Sequence, residues 1–181
     1  MGNTESSSLQ LARPGPLMEE ATRNRSMNFN EAAMAKYKRA YELYKEQGAN
    51  SCAARALRLA AEAGLEIPEP DFELASKAFE EVANLYMKSD LTKVGADSNY
   101  ANAVYCMLIL GRGSTAKSKY DEYKQLSGLV DSNEWIALKC ILESFQNGNK
   151  NLTRDNIEGF KDVSNAPLWR QKLLDKVVER L

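Results

Sequence analysis

One helical pattern occurs three times in this chain at nearly constant spacing. In each copy an alanine is followed four residues later by an aromatic residue and ten residues later by a leucine. The copies begin at Ala33, Ala75 and Ala116, which lie 42 and 41 residues apart. Offsets of 0, 4, 7 and 10 follow the period of an α-helix, so each copy predicts one buried stripe. The stripes are Ala33, Tyr37, Ala40 and Leu43; then Ala75, Phe79, Val82 and Leu85; then Ala116, Tyr120, Tyr123 and Leu126.

A helix of this kind cannot bury its stripe alone and needs a partner helix and a neighbouring repeat. The segments between the copies supply partner helices at residues 50–64, 90–111 and 131–148, the first capped by Asn50 or Ser51. No segment of the array alternates as a strand would. The pattern therefore predicts an all-α chain, a right-handed solenoid of antiparallel helical hairpins similar to tetratricopeptide repeats.

The two ends of the chain differ from the array. Residues 1–28 show no periodicity and contain SSS and RPGP, so we expect a flexible tail, with the helical-repeat domain over residues 29–181. The opening MGNTES fits the myristoylation pattern and makes Gly2 a candidate lipidation site. At the other end, Asn165 is the predicted cap of a last helix with Pro167 in its first turn.

Composition excludes most enzyme classes. The chain has no histidine, which removes the commonest general base, the histidine-activated nucleophiles and histidine-ligated metal sites. The segment at 110–118, LGRGSTAKS, lacks the ending of a phosphate-binding loop, and Gly111 ending one helix with Ser114 capping the next explains it. The three cysteines are far apart and indicate reduced thiols. We expect no catalytic residues, no metal and no cofactor.

Charge is balanced overall but not locally. With 24 basic and 25 acidic residues, no global field favours nucleic acid, and no apolar run is long enough to predict a membrane span or a secretion signal. From Lys36 to Arg58 there are six basic and two acidic residues, whereas from Glu62 to Glu81 there are seven acidic residues and one lysine. On stacked helices this distribution predicts a basic ridge beside an acidic one.

Three stretches of the chain carry a family resemblance. Residues 53–86 have an A-A-x2-L-x2-A helix followed by an E-x-A-x3-F-E-x2-A helix. Residues 97–149 include DSNYANAVYCMLIL and KYDEYKQLSGLVDSNEWIALKCILESFQNGN, and residues 163–178 read VSNAPLWRQKLLDKVV. These patterns resemble the soluble NSF attachment proteins, which connect SNARE complexes to an AAA+ ATPase. Features of the alpha and gamma types both occur, and the matched hairpins correspond to a shortened member.

The resemblance implies a twisted sheet of antiparallel helices that ends in a C-terminal helical bundle. It implies a non-enzymatic adaptor, cytoplasmic and peripherally membrane-associated, whose partners are the SNARE complex and an ATPase of the NSF type. Glu143 matches an acidic residue of the family's ATPase-facing end. Leu181 is a partial match to the family's next-to-last leucine, without the acidic run that accompanies it. The basic face expected to lie along the SNARE bundle comprises Lys36, Lys38, Arg39, Arg55 and Arg58.

Two alternatives remain beside the adaptor interpretation. In the first alternative the chain is a helical-repeat scaffold for another partner. In the second it is a truncated competitor that binds SNAREs without supporting the ATPase. The apolar membrane-contacting loop of the family has no counterpart in the sequence, and a lipid on Gly2 is the hypothesis for what replaces it.

Overall fold

The helical repeat is realised as a stack of helices joined by short turns. The computed structural model describes residues 13–89, 91–127 and 132–181, and within these ranges the regular structure is helical. The α-helices are α1 Pro14–Ser26, α2 Asn30–Glu46, α3 Asn50–Leu65, α4 Phe72–Tyr86, α5 Ala96–Ile109, α6 Gly113–Ser127, α7 Asn133–Gln146, α8 Lys150–Ser164 and α9 Leu168–Glu179, with a 3-10 turn at Lys93–Gly95. The predicted all-α fold is confirmed.

The three copies of the repeat occupy every second helix, α2, α4 and α6. Their aromatic residues Tyr37, Phe79 and Tyr120 are 1%, 0% and 4% exposed, so each fills a buried position. The partner segments form α3, α5 and α7, and helices that are consecutive in the chain pack against each other from α1 to α8. The solenoid of helical hairpins is thus confirmed, although Leu126, the last residue of the third stripe, is 52% exposed.

Small residues let the central helices approach closely. Six alanines of α3 are at least 93% buried, and they lie on faces that contact α2 and α4. Because interaxial distance depends on the side chains at the contact, alanine faces allow short separations. The six are Ala53, Ala54, Ala56, Ala60, Ala61 and Ala63.

Glycines with positive φ end three of the helices. Gly48, Gly111 and Gly148 follow α2, α5 and α7 with φ of 69°, 73° and 67°, the left-handed conformation that closes a helix at low steric cost. At Gly111 a Cβ would also lie 2.8 Å from the guanidinium of Arg180, so a side chain there would have to displace that exposed arginine.

Helix starts follow capping chemistry at some positions and depart from the predictions at others. Asp71 caps α4 by accepting from the Leu74 N–H at 2.9 Å. The predicted cap at Asn50 or Ser51 is wrong, because α3 already begins at Asn50, after Ala49, which makes no side-chain cap. Likewise α6 begins at Gly113, so Ser114 lies within the helix.

The predicted cap at Asn165 is also wrong. Asn165 ends α8 in the left-handed conformation, with φ of 46°, and α9 starts at Leu168, preceded by Pro167. Two local preferences explain this arrangement. Asparagine tolerates the left-handed region better than most residues, and Ala166 is biased away from helical angles because a proline follows it.

The expected flexible tail over residues 1–28 is different in the structure, where α1 covers Pro14–Ser26. Ala21 is fully buried against Ala33 and Tyr37 of α2 and the alanines of α3, and the Thr22 and Tyr37 hydroxyls are 2.9 Å apart. The tail prediction is wrong for Pro14–Ser26, because α1 fully buries one residue, Ala21, and its sequence therefore shows almost no hydrophobic periodicity. Residues 1–12, which include Gly2, lie outside the described residues.

A C-terminal bundle of α7, α8 and α9 closes the array against α5. The Trp135 ring of α7 meets Tyr120 edge-on at 5.4 Å, and Trp169 of α9 stacks on Phe79 at 5.9 Å. Aromatic pairs at these distances add to the burial of their surface. The last helix is therefore anchored to the second repeat by an aromatic contact.

Arg170 of α9 makes a second, buried anchor. Its Nε donates to Asn102 Oδ1 of α5 at 2.7 Å, and its two terminal nitrogens donate to the Glu134 carboxylate of α7 at 3.1 and 2.5 Å. The guanidinium also lies over the Tyr105 and Phe160 rings, 5.8 and 5.6 Å from their centroids. One side chain thus connects four helices through charge-assisted and cation–π contacts.

Candidate interaction surface

An apolar groove runs between α2 and α4 with α3 as its floor. Its cavity volume is about 250 Å³. The walls come from residues one helical turn apart, so that each helix turns one narrow face towards the opening. Leu74 in the α4 wall is 44% exposed. The main apolar residues are Met34 and Tyr41 of α2, Leu57 and Ala60 of α3, and Leu74 and Ala78 of α4.

One edge of the groove is closed by a hydrogen-bonded cluster. The Tyr41 hydroxyl donates to Glu81 Oε1 at 2.6 Å, while Lys45 Nζ donates to the Tyr41 oxygen at 2.8 Å and to Glu81 at 2.9 Å. The hydrogen bonds from Tyr41 and Lys45 lower the pKa of Glu81. Desolvation and the Glu81 carboxylate raise the pKa of Tyr41. The cluster therefore holds α2 and α4 together at this edge with Glu81 ionised.

Acid should weaken this edge. Because the folded pKa of Glu81 is depressed, its contribution to stability is present above the unfolded value of about 4.3 and is lost as pH falls through the folded pKa. We expect the Glu81→Gln variant to lose less stability than the wild type as pH falls from about 5 to about 3. Urea unfolding across that range measures the difference.

The matched control is Glu46→Gln, an exposed carboxylate at the end of α2 that makes no ion pair among the described residues. This variant should keep the pH dependence of the wild type. Equal acid sensitivity of Glu81→Gln and the wild type would contradict the role given to the cluster.

The structure separates the predicted basic residues of α2. Lys36 and Lys38 are two positions apart, about 200° around the helix, and so face different sides. Lys36 pairs with Glu20 of α1 at 2.6 Å, and Arg39 pairs with Glu42 at 2.9 Å. Lys38 lies at the rim of the groove and makes no ion pair within the described ranges. Lys38 is the member of this set that combines a free charge with an apolar neighbourhood.

The predicted basic residues of α3 lie on the side that faces α1. Arg58 donates to Glu62 at 2.5 Å, and Glu62 also accepts from Arg25 of α1 at 2.9 Å. Arg25 reaches Glu66 as well, at 3.0 Å. Arg55 is exposed, borders a cavity beside α1 and has no ion-pair partner in the part of the chain that is described. Arg55 and Arg58 therefore lie on a different side of the array from Lys38.

The two residues expected to face the ATPase lie on α7 and just after α9. Glu143 is on α7, half exposed, with Lys139 Nζ 3.8 Å from its carboxylate. Leu181 follows α9, is half-buried, and donates its N–H to the Val178 carbonyl at 3.1 Å. Both positions belong to the C-terminal bundle.

Tyr41, Leu74 and Glu81 are groove residues that were not predicted from the sequence. A signal existed in α2, where Met34, Lys38, Tyr41 and Lys45 follow helical spacing on a face distinct from the buried stripe. Within the described residues no helix is long and apolar enough to cross a bilayer, and no group of three potential metal ligands converges.

Comparison with known proteins places the chain in a family. The family model described as "Soluble NSF attachment protein, SNAP" matches residues 2–181. The beta-soluble NSF attachment protein of Bos taurus is 24% identical over 148 residues, covering 81% of this chain and 49% of its own length. The alpha-soluble NSF attachment protein of Homo sapiens is 25% identical over 148 residues with the same coverage.

The match extends from the N-terminal residues to the end of the C-terminal bundle. The chain spans about half the length of the curated relatives that it matches. Because the family model covers the chain almost completely, and because the helices stack as the repeat predicts, the relationship does not depend on one motif. The chain belongs to the soluble NSF attachment protein family.

Proposed function

We propose that this chain is an adaptor that binds SNARE complexes and presents them to an AAA+ ATPase of the NSF type. The observation that carries the proposal is the family match over residues 2–181. The proposed setting is the cytoplasm, with peripheral contact to membranes. The adaptor role needs no catalytic residue in this chain, since the ATPase supplies the energy.

The shape of the array supports binding to an elongated partner. Stacked helical hairpins present continuous faces along which a rod-like helical bundle can lie. Lys38 and Arg55 offer cationic groups that are free of intramolecular ion pairs in the described structure, whereas Lys36, Arg39 and Arg58 are paired with acidic neighbours. We therefore assign the main electrostatic attraction for an acidic bundle to Lys38 and Arg55, and a smaller one to the three paired residues.

The C-terminal bundle is the proposed ATPase-facing end, with Glu143 as an acidic contact and Leu181 as an apolar one. The two residues are accessible on α7 and after α9. A lipid on Gly2 is the proposed membrane attachment, and intact-mass measurement of protein from a myristoylating host tests it directly. An unmodified Gly2 would remove that part of the proposal.

Binding to a preassembled four-helix SNARE bundle tests the adaptor function. We expect wild type to bind and the Lys38→Glu/Arg55→Glu variant to bind about tenfold more weakly, a change of ~1.4 kcal/mol, with a reduced dependence on salt. The control is Lys172→Glu, the same charge change at an exposed position of α9. Wild type that does not bind the bundle would contradict the proposal.

A disassembly assay with the ATPase gives the second readout. An adaptor should increase the rate at which the bundle is taken apart. A chain that binds the bundle but slows disassembly by a full-length family member would be a competitor instead.

A further inference from the structure

The groove between α2 and α4 is an apolar surface without a partner in the described structure. Its floor is made of aliphatic side chains of α3, and Leu74 in its wall is 44% exposed. On another side of α2, by contrast, apolar surface is covered, because Ala21 of α1 packs there against Ala33, Tyr37 and the alanines of α3. The groove is thus a site where apolar surface remains in contact with water and would gain from burial.

The dimensions of the groove restrict what can occupy it. Its volume of about 250 Å³ is below the usual range for cofactors and small ligands, roughly 300–1,000 Å³. A space of this size suits one or two large side chains. An open channel between two parallel walls, rather than a closed cavity, is the form that receives side chains from a docked amphipathic helix.

The charges around the groove define the complementary charge of the occupant. Glu81 is paired with Lys45, and Lys77 is paired with Glu73 at 3.1 Å. Asp71 caps the N-terminus of α4 and so interacts with its backbone amides. Lys38 is left as the charged rim residue that no described side chain or helix end neutralises.

We propose that this groove binds an amphipathic helix of the partner that inserts a leucine- or methionine-sized side chain and places a carboxylate, one helical turn away, against Lys38. The inference rests on the proposed function, because the SNARE complex would supply the helix. It adds a site at which specificity comes from an apolar side chain as well as from charge. Charge alone would orient the partner, whereas the inserted side chain would fix its register.

Filling the groove tests the site within the full chain. In Ala78→Leu the added side chain occupies the space on the α4 wall, and binding of the SNARE bundle should weaken about tenfold. The control is Ala35→Leu, the same substitution at an exposed position of α2 away from the groove. Leu74→Gln, which removes apolar surface from the opening instead of filling it, should weaken binding in the same direction. Unchanged binding by both groove variants, with thermal unfolding like that of wild type, would overturn the proposal.

Designed peptides test the groove without the SNARE bundle or the ATPase. The probe is a fluorescent helical peptide of about 16 residues, roughly four turns, with one leucine and one glutamate a turn apart. Two further peptides carry leucine→alanine or glutamate→lysine. Fluorescence anisotropy should show that wild type prefers the first peptide by about tenfold over each of the others.

A charge exchange identifies the residue that meets the glutamate. Lys38→Glu should lose the preference for the glutamate peptide and bind the lysine peptide more tightly than wild type does. Equal binding of all three peptides, or the same preference in Lys38→Glu as in wild type, would overturn the proposed geometry. Because the peptide readout involves neither SNAREs nor the ATPase, discrimination here together with no bundle binding would remove the adaptor proposal and leave the groove as a helix-binding site.

Discussion

Replacing Arg170 with alanine should lower the free energy of unfolding by about 3–5 kcal/mol, the usual cost of breaking a buried ion pair from one side. The substitution leaves the largely buried Glu134 carboxylate and the buried Asn102 side chain without their partner. Burial lowers the pKa of Arg170, but the nearby Glu134 charge more than offsets this, and the pKa is raised overall. The guanidinium therefore stays charged, and its removal leaves the Glu134 carboxylate without a compensating charge in the interior.

Two further variants separate the ion pair from the packing around it. In Arg170→Met/Glu134→Leu both charges are removed, and the double variant should lose much less stability than the single variants Arg170→Met and Glu134→Leu added together. Lys172→Ala, an exposed position on the same helix, should remain within about 0.5 kcal/mol of wild type. Urea unfolding of all variants provides the cycle. A cost below about 1 kcal/mol for Arg170→Ala would show that the contact network contributes little to stability.

The second large effect is expected at Phe79, whose replacement by alanine should cost about 3–5 kcal/mol. Phe79 is fully buried at the aromatic position of the second repeat and stacks on Trp169 of α9. Its loss would leave a cavity between the repeat and the C-terminal bundle. Trp169 also provides a probe, because its fluorescence should change in the folded state of the variant.

Leu74→Ala on the same helix is the matched control for Phe79→Ala. Leu74 loses a similar class of side chain from a position that is 44% exposed, so its cost should stay below about 1 kcal/mol. Equilibrium unfolding gives the loss in free energy of unfolding for each variant, and the difference between the two losses isolates the effect of burial. Similar costs at both positions would contradict the role given to Phe79 as a core residue.

The repeat was predictable from sequence because its signal is long-range and periodic. Tyr37, Phe79 and Tyr120 recur at a fixed interval, and only stacking of successive hairpins buries all three. The partner helices followed from the same requirement. The start of the fifth helix was less accurate, since the segment from residue 90 contains a 3-10 turn at Lys93–Gly95 before α5 begins.

The first helix was not predictable by the same method. Its core contribution is one alanine, Ala21, and the hydrogen bond between Thr22 and Tyr37 depends on a partner 15 residues away. Helix caps failed for a related reason. Asn165 is a good cap residue by type, but its role was decided by Pro167 two positions on and by the direction the chain must take after α8.

The sequence predicted the charge of the candidate surface but not the ion-pair partner of each basic side chain. The sequence shows that α2 and α3 are basic and that the segment after them is acidic, yet it does not show that Lys36 is bound to Glu20 of α1 while Lys38 is free. Side-chain pairing depends on the angular position of each residue around its helix and on which helix lies opposite. The groove itself is formed by residues of three helices, so the spacing within α2 alone could not predict it.

The alanine face of α3 has a consequence for how this protein could diverge. Since α3 lies beneath the groove and separates its two walls, the bulk of buried residues such as Ala54 and Ala63, which do not line the groove, sets how far apart α2 and α4 stand. A larger residue there would widen the opening without altering any atom that a ligand touches. Substitutions at buried positions of α3 can thus change which partners fit the groove, because they change the distance between α2 and α4.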